Sequence, residues 1–142
     1  MILTSTDIVR VVYSAATAVA LNFQAGWADQ TTTAFTPGTT NTVETNSSGA
    51  TATVVASPAG STYRQVKTLT IYNAETTYSN FITVQHYDGS TSVEVWSGTL
   101  SPSESVQYDG TKWNRLNSSG TLVTSGLTAS DVQSQITSGA GV

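Results

Sequence analysis

The amino-acid sequence predicts an all-β protein, an antiparallel β-sandwich or jelly roll with an extended N-terminal arm and a short C-terminal helix or tail. Ser and Thr make up about a third of the 142 residues, and only 10% are charged. Thr and Val suit a pleated, half-buried surface, whereas a composition rich in Ala, Leu, Glu and Lys, typical of helices, is absent. Apolar and polar residues also alternate with a period of two in short segments, which is typical of sandwiches.

The predicted strands follow one another at spacings near ten residues, each bounded by Gly, Pro, Asp or Ser. In the strand over 63–72, the alternation places Leu69 and Ile71 on one face and Val66 with Tyr72 on the other. The strands are expected at 8–13, 19–27, 51–56, 63–72, 81–87, 92–97, 105–108 and 112–116.

One domain is expected over residues 1–127, because a chain of this length can bury one hydrophobic core. Inside it, residues 31–50 are rich in Thr, Asn, Gly and Ser and predict a long loop with at most one polar strand. Residues 128–142 predict a short helix, capped by Ser130 and Asp131, and a flexible tail.

A Tyr-Asp-Gly triplet occurs twice, at 87–89 and at 108–110, each time between two predicted strands. Asp-Gly favours tight hairpin turns because Gly accepts positive φ and Asp tolerates it. The repeat therefore predicts two hairpin corners at one end of the sandwich, and no ligand is needed to explain it.

Composition excludes several classes of function. The net charge is −4 with no basic cluster, so a nucleic-acid partner is not expected. The sequence contains no run of about eighteen apolar residues, so a membrane span is not expected. The absence of Cys excludes disulfides and thiolate chemistry, and no cofactor is expected.

No constellation of residues predicts catalysis or a metal site. His86 is the single histidine, and the sequence has no Gly-x-Ser-x-Gly nucleophile elbow to supply a serine for it to activate. His86 is therefore expected to be a half-buried strand residue. The acidic residues lack calcium-loop spacing, and nothing singles out a glycosidase pair among Asp88, Glu94, Glu104 and Asp109. The three tryptophans, at 27, 96 and 113, favour core or interface positions over a sugar platform.

Several segments resemble small structural proteins of tailed bacteriophage particles. The matching segments are MILTSTDIVRVV, PGTTNT, TATVVASPAGSTYRQVKTLTIYNAE and FITVQHYDGSTSVEVWSGTLSPSESVQYDGTKWNRLNSSG. The resemblance implies a compact antiparallel sandwich over about residues 51–120 and a virion component assembled in the host bacterial cytoplasm. It transfers no catalytic residue.

Among virion components, the small size, low charge and Thr/Ser-rich segments favour a non-enzymatic capsid decoration (cement) protein that binds the major capsid protein or other virion proteins as a homo-oligomer, such as a trimer. A neck or tail ring protein, a fibre adaptor, a receptor- or glycan-binding module and a small glycosidase are the alternatives. Removal of residues 1–6 is expected to weaken particle association while leaving the sandwich folded. The candidate interface residues are Ile2, Leu3, Ile8, Val9, Thr36, Pro37, Trp96 and Trp113.

Overall fold

The computed structural model describes residues 1–123, which form ten strands in two antiparallel sheets packed face to face. The predicted antiparallel β-sandwich is confirmed. The helix predicted within residues 128–142 lies outside the described residues. The strands are β1 (Ile2–Leu3), β2 (Ile8–Tyr13), β3 (Val19–Gln30), β4 (Phe35–Asn46), β5 (Thr51–Val55), β6 (Tyr63–Asn73), β7 (Asn80–Tyr87), β8 (Ser92–Leu100), β9 (Ser105–Tyr108) and β10 (Trp113–Leu116).

The two sheets differ in size. The six-stranded sheet has the order β10-β9-β6-β3-β4, with β1 also paired to β6, and the four-stranded sheet has the order β5-β2-β7-β8. Strand β3 occupies one side of β6 along its length, so β9 and β1 share the other side end to end. Strand β4 is therefore one edge of the larger sheet, and β10 and β1 form the other.

The core lies between the sheets and is built from alternate residues of the central strands. Full burial of a Val, Leu or Ile side chain contributes about 1.5–3 kcal/mol. The fully buried members with no exposed side-chain surface are Leu3, Val9, Val11, Val19, Leu21, Val55, Leu69, Ile71, Ile82, Val84, Leu100 and Val106.

Three β-bulges interrupt this alternation. The register of β6 against β3 shifts so that Lys67 has no partner, and β5 and β8 each contain a similar shift, at Val54 and Val95. An extra residue in one strand turns the residues before it to the opposite face. Val66 is consequently buried together with Leu69, and its predicted placement on the other face of β6 was wrong.

The predicted N-terminal arm is part of the sandwich. Strand β1 pairs with β6, Leu3 is fully buried, and the Met1 amine donates to the Tyr108 hydroxyl at 3.1 Å. The turn into β2 is fixed by Asp7, whose Oδ2 accepts hydrogen bonds from the Thr4 backbone N–H at 2.7 Å and the Thr4 hydroxyl at 2.8 Å. These contacts argue against the expectation that residues 1–6 can be removed without loss of stability.

The Thr-rich segment predicted as a long loop is mostly strand. Residues Phe35–Asn46 form β4, which pairs with β3 over twelve positions in unbroken register. Thr is a good strand former, and Pro37 is tolerated because β4 lies at a sheet edge. The one polar strand that the sequence allowed is therefore present, and the prediction of a long loop over residues 31–50 was wrong.

The first Tyr-Asp-Gly triplet forms the turn between β7 and β8. The Asp88 carboxylate accepts hydrogen bonds from the backbone N–H groups of Ser90 at 2.9 Å and Thr91 at 2.7 Å. Gly89 has a φ of 96°, and the Tyr87 hydroxyl donates to the Gly89 carbonyl at 2.8 Å. The turn is satisfied by its own side chains, as the hairpin prediction requires.

The second triplet repeats this arrangement between β9 and β10. Asp109 accepts from the backbone N–H groups of Thr111 and Lys112, at 3.0 Å each, and Gly110 has a φ of 98°. The Tyr108 hydroxyl donates to the Gly110 carbonyl at 2.7 Å. Both predicted hairpin corners are confirmed.

Candidate functional site

The outer face of the six-stranded sheet, defined as the side chains that point away from the core, carries almost no charge. The strands of this sheet contain five charged residues, and the alternation turns four of them inward. Lys67, at the bulge of β6, is the exception. The charged residues of these strands are Asp29, Glu44, Arg64, Lys67 and Arg115.

Uncharged polar side chains cross the middle of this face in one row. The strand registers place an amide or hydroxyl side chain at the same level of β4, β3, β6, β9 and β10. Such groups can hydrogen-bond to a partner without the desolvation cost of a charge. The row consists of Asn41, Gln24, Thr70, Gln107 and Asn114.

Large apolar side chains lie on both sides of this polar row. Of the nine exposed large hydrophobic residues in the part of the chain that the structure describes, five are on this face. The most exposed of them is 67% exposed. Exposed apolar side chains on a sheet face with so little charge are typical of an interaction surface. The five are Val43 and Tyr72 on one side, and Ile2, Phe35 and Tyr63 on the other.

Two shallow depressions lie on this face. One, of about 350 Å³, lies between the polar row and the neighbouring row formed by Val43, Asn22 and Tyr72. The other, of about 500 Å³, is bordered by Ile2 and Tyr63. An uncharged surface with apolar side chains and shallow depressions has the composition of the centre of a protein interface.

Three of the four inward-pointing charges of this sheet form ion pairs within the domain, and the fourth, Glu44, accepts a hydrogen bond from the Asn46 amide. Arg64 donates two hydrogen bonds to Asp29, at 2.7 and 2.8 Å, and its guanidinium lies 3.7 Å from the ring centroid of Trp27. The hydrogen bond from Arg64 lowers the pKa of Asp29. Burial raises the pKa of Glu104, but the hydrogen bonds from Arg115, at 2.6 Å, and from Ser101 outweigh it and lower the pKa.

These lowered pKa values predict acid sensitivity. The folded-state pKa values of Asp29, Glu104 and Asp7 lie below their unfolded values, so their contribution to stability is present above about pH 4 and is lost as the pH falls through the folded-state values. We expect the free energy of unfolding, measured by denaturant titration, to change little from pH 7 to 5 and to fall below pH 4. The Asp29→Asn variant should show a smaller fall, and a free energy that stays constant down to pH 3 would contradict this account.

The outer face of the four-stranded sheet differs, because its charged groups are engaged locally. Arg10 donates to Gln85 at 3.0 Å and to Ser92 at 2.7 Å, and it lies 4.1 Å from the ring centroid of Tyr87. The part of this face around Arg10 is therefore a network of polar contacts within the domain.

The structure separates the predicted interface residues into groups. Ile2 and Pro37 share one register row on the outer face of the larger sheet, through Gln65 and Ala28. Thr36 is exposed on the opposite side of β4.

Leu3 and Val9 are fully buried in the core, so their side chains are not presented to a neighbour. Ile8 is half-buried on the four-stranded sheet. Trp96 and Trp113 contact each other, with ring centroids 6.2 Å apart, between β8 and β10. All three tryptophans pack against the core, which agrees with the preference for core positions over a sugar platform.

Sequence reasoning missed most of the apolar residues of the outer face. Phe35 and Val43 lay in the segment predicted as a loop, and the unrecognised bulge at Lys67 reversed the face of Tyr63. Tyr72 lies on the face that the alternation predicted, opposite Leu69 and Ile71. The available signal for a strand was the spacing of Thr39, Asn41 and Val43, at every second residue of the Thr-rich segment. That alternation had no strongly apolar opposite face to identify it as a strand.

Of the residues considered for catalysis, Asp88 and Asp109 are engaged in turn hydrogen bonds, whereas His86 Nε2 is buried without a hydrogen-bond partner among the described residues. His86 Nε2 lies 3.7 Å from the nearer Asp7 oxygen, beyond hydrogen-bonding distance. Backbone hydrogen bonds in the two Tyr-Asp-Gly turns lower the pKa values of Asp88 and Asp109, whereas a general acid needs a raised pKa. Within residues 1–123, no group of three or more His, Cys, Asp or Glu side chains is placed to hold a metal ion.

Comparison of the chain with protein-family models, curated proteins and solved structures gave no match. Among residues 1–123 there is no helix of the length and apolarity needed to cross a membrane. The function is therefore inferred from the geometry of the outer face.

Proposed function

We propose that the protein is a non-enzymatic structural component of a tailed-phage particle, a capsid decoration protein that docks through the outer face of the six-stranded sheet. The observation that supports this proposal is the near absence of charge on that face, combined with its five exposed large hydrophobic residues. Charge depletion distinguishes the centre of a protein interface from the remaining surface.

The size of the face suits a stable contact. Strands β3 and β4 are twelve residues long, which corresponds to about 40 Å at 3.3 Å per residue, and neighbouring strands lie about 4.8 Å apart. The face thus offers on the order of 800 Å² per partner, the value typical of specific interfaces. A protein that binds only the assembled shell stabilises that shell by mass action.

A charge at the centre of the face should disrupt docking. Gln24 is exposed in the middle of the polar row, so Gln24→Glu would bury an unpaired carboxylate in the interface. We expect co-sedimentation of the purified protein with particles stripped of it to weaken by roughly 100-fold or more. Thr53→Glu is the matched control, because Thr53 is exposed on the outer face of the four-stranded sheet. Equal binding by Gln24→Glu and the wild type would exclude docking through this face.

The copy number distinguishes decoration from the alternatives. A decoration protein occupies a large part of the shell, so quantitative mass spectrometry of purified particles should give on the order of hundreds of copies. About six or twelve copies would instead assign the protein to a neck or tail ring or to a fibre adaptor, and would overturn the decoration role.

A further inference from the structure

Strand β4 is a sheet edge with little of the usual protection against pairing. It has twelve residues in regular register, and its single charged residue, Glu44, points inward. Natural proteins protect exposed edges with charges, prolines, bulges or short strands, and of these β4 has only Pro37, near its beginning. The other edges of the described sheets have such features: β5 has five residues and a bulge, β8 has a bulge beside Glu94, β10 has four residues and β1 has two.

The backbone groups that face the open edge of β4 can be identified. At the end of the β3–β4 hairpin, the Thr31 N–H donates to the Ala34 carbonyl at 2.9 Å. Because hydrogen-bonded pairs alternate along an antiparallel ladder, the even-numbered residues of β4 bond to β3 and the odd-numbered ones face outward. Pro37 is an outward-facing residue without an N–H, so the edge is fully competent for pairing only beyond it, at Thr39, Asn41, Val43 and Thr45.

We propose that β4 pairs antiparallel with β4 of a second copy, across a twofold axis at Thr42. This register places Thr39 opposite the second copy's Thr45 and Asn41 opposite its Val43, so all outward-facing groups beyond Pro37 are paired. Four residue pairs with two N–H···O bonds each give about eight hydrogen bonds. The two six-stranded sheets then form one continuous sheet.

Charge and sequence select this register over its neighbours. An axis at Asn41 would place Pro37 opposite Thr45 and leave the Thr45 carbonyl of each copy without a donor. An axis at Val43 would offset the two Glu44 residues by only two positions, and an axis at Glu44 would place them side by side. With the axis at Thr42, the two Glu44 residues are offset by four positions, or about 13 Å, which exceeds the Debye length at physiological salt. A second copy of β4 therefore fits this edge without repulsion.

The pairing would join the two outer faces into a single uncharged surface, with Val43 of each copy beside Asn41 of the other. It specifies the homo-oligomer within the proposed function and to that extent rests on it. The pairing is measured on purified protein without particles, so its failure and the failure of docking can be told apart.

The mass of the full-length protein in solution tests the pairing. Sedimentation equilibrium should give a concentration-dependent dimer of twice 14.8 kDa. Val43→Pro removes one outward-facing donor per copy and leaves the ladder to β3 intact, so we expect dimerisation to weaken by roughly ten- to a hundredfold. Val43→Thr retains the N–H and strand propensity and should dimerise like the wild type. Far-UV circular dichroism verifies that each variant is folded.

Amide hydrogen exchange gives a second readout that does not depend on a variant. In the dimer, the amides of Asn41 and Val43 should be protected, and dilution should expose them while Thr40 and Thr42 stay protected by β3. A monomer at all concentrations, a trimer, or uniform exchange along β4 would each overturn the proposal.

Discussion

Replacement of Asn73 by Ala is expected to lower the free energy of unfolding by roughly 3–5 kcal/mol. The Asn73 side chain is fully buried at the end of β6. Its amide donates to the carbonyls of Tyr78 and Leu100, both at 2.9 Å, and its Oδ1 accepts from the Glu75 N–H at 3.1 Å. Alanine would leave the buried Leu100 carbonyl and two partly buried backbone groups without these partners, and would also create a cavity.

Urea titration of the wild type and Asn73→Ala measures this effect. Asn114→Ala is the control, because the Asn114 side chain is half-buried and makes a single hydrogen bond of 3.3 Å; it should cost less than about 1 kcal/mol. Similar losses in both variants would show that the buried network around Asn73 does not contribute more than an ordinary surface amide.

Removal of residues 1–6 should destabilise the sandwich by at least about 3 kcal/mol. The deletion removes Leu3 from the core, the pairing of β1 with β6, and the Thr4 donors that hold Asp7. The expected midpoint of thermal unfolding therefore falls well below that of the full chain.

Two single substitutions separate the causes of that loss. Leu3→Ala should lower the free energy of unfolding by about 2–5 kcal/mol, because the Leu3 side chain is fully buried. Ile2→Ala should change it by less than about 1 kcal/mol, because Ile2 is 61% exposed. A truncated protein as stable as the full chain would show that the opening strand is dispensable for folding.

Local chemistry made several features predictable from the sequence. The Tyr-Asp-Gly corners depend on residues within the turn itself, such as the Asp88 carboxylate and the positive φ of Gly89. Strands with a clear apolar face, such as β2 and β7, were also located to within a residue.

Features that depend on distant pairing were not predictable in this way. Strand β4 has hydroxyls and amides on both faces, and its conformation is fixed by pairing with β3 rather than by its own pattern. The bulge at Lys67 leaves no local signature, so the inward placement of Val66 could not be read from alternation. Of the candidate interface residues, Ile2 and Pro37 lie on the outer face, whereas Leu3 and Val9 are core residues.

The near absence of charge on the outer face also has a kinetic consequence. Without a long-range field, a partner meets this face by unassisted diffusion, at roughly 10⁵–10⁶ M⁻¹s⁻¹. Neither this rate nor the strength of the contact should depend strongly on ionic strength, because there are few charges to screen. A coat held in this way would survive transfer between dilute and saline surroundings, whereas a coat held by ion pairs would loosen in salt.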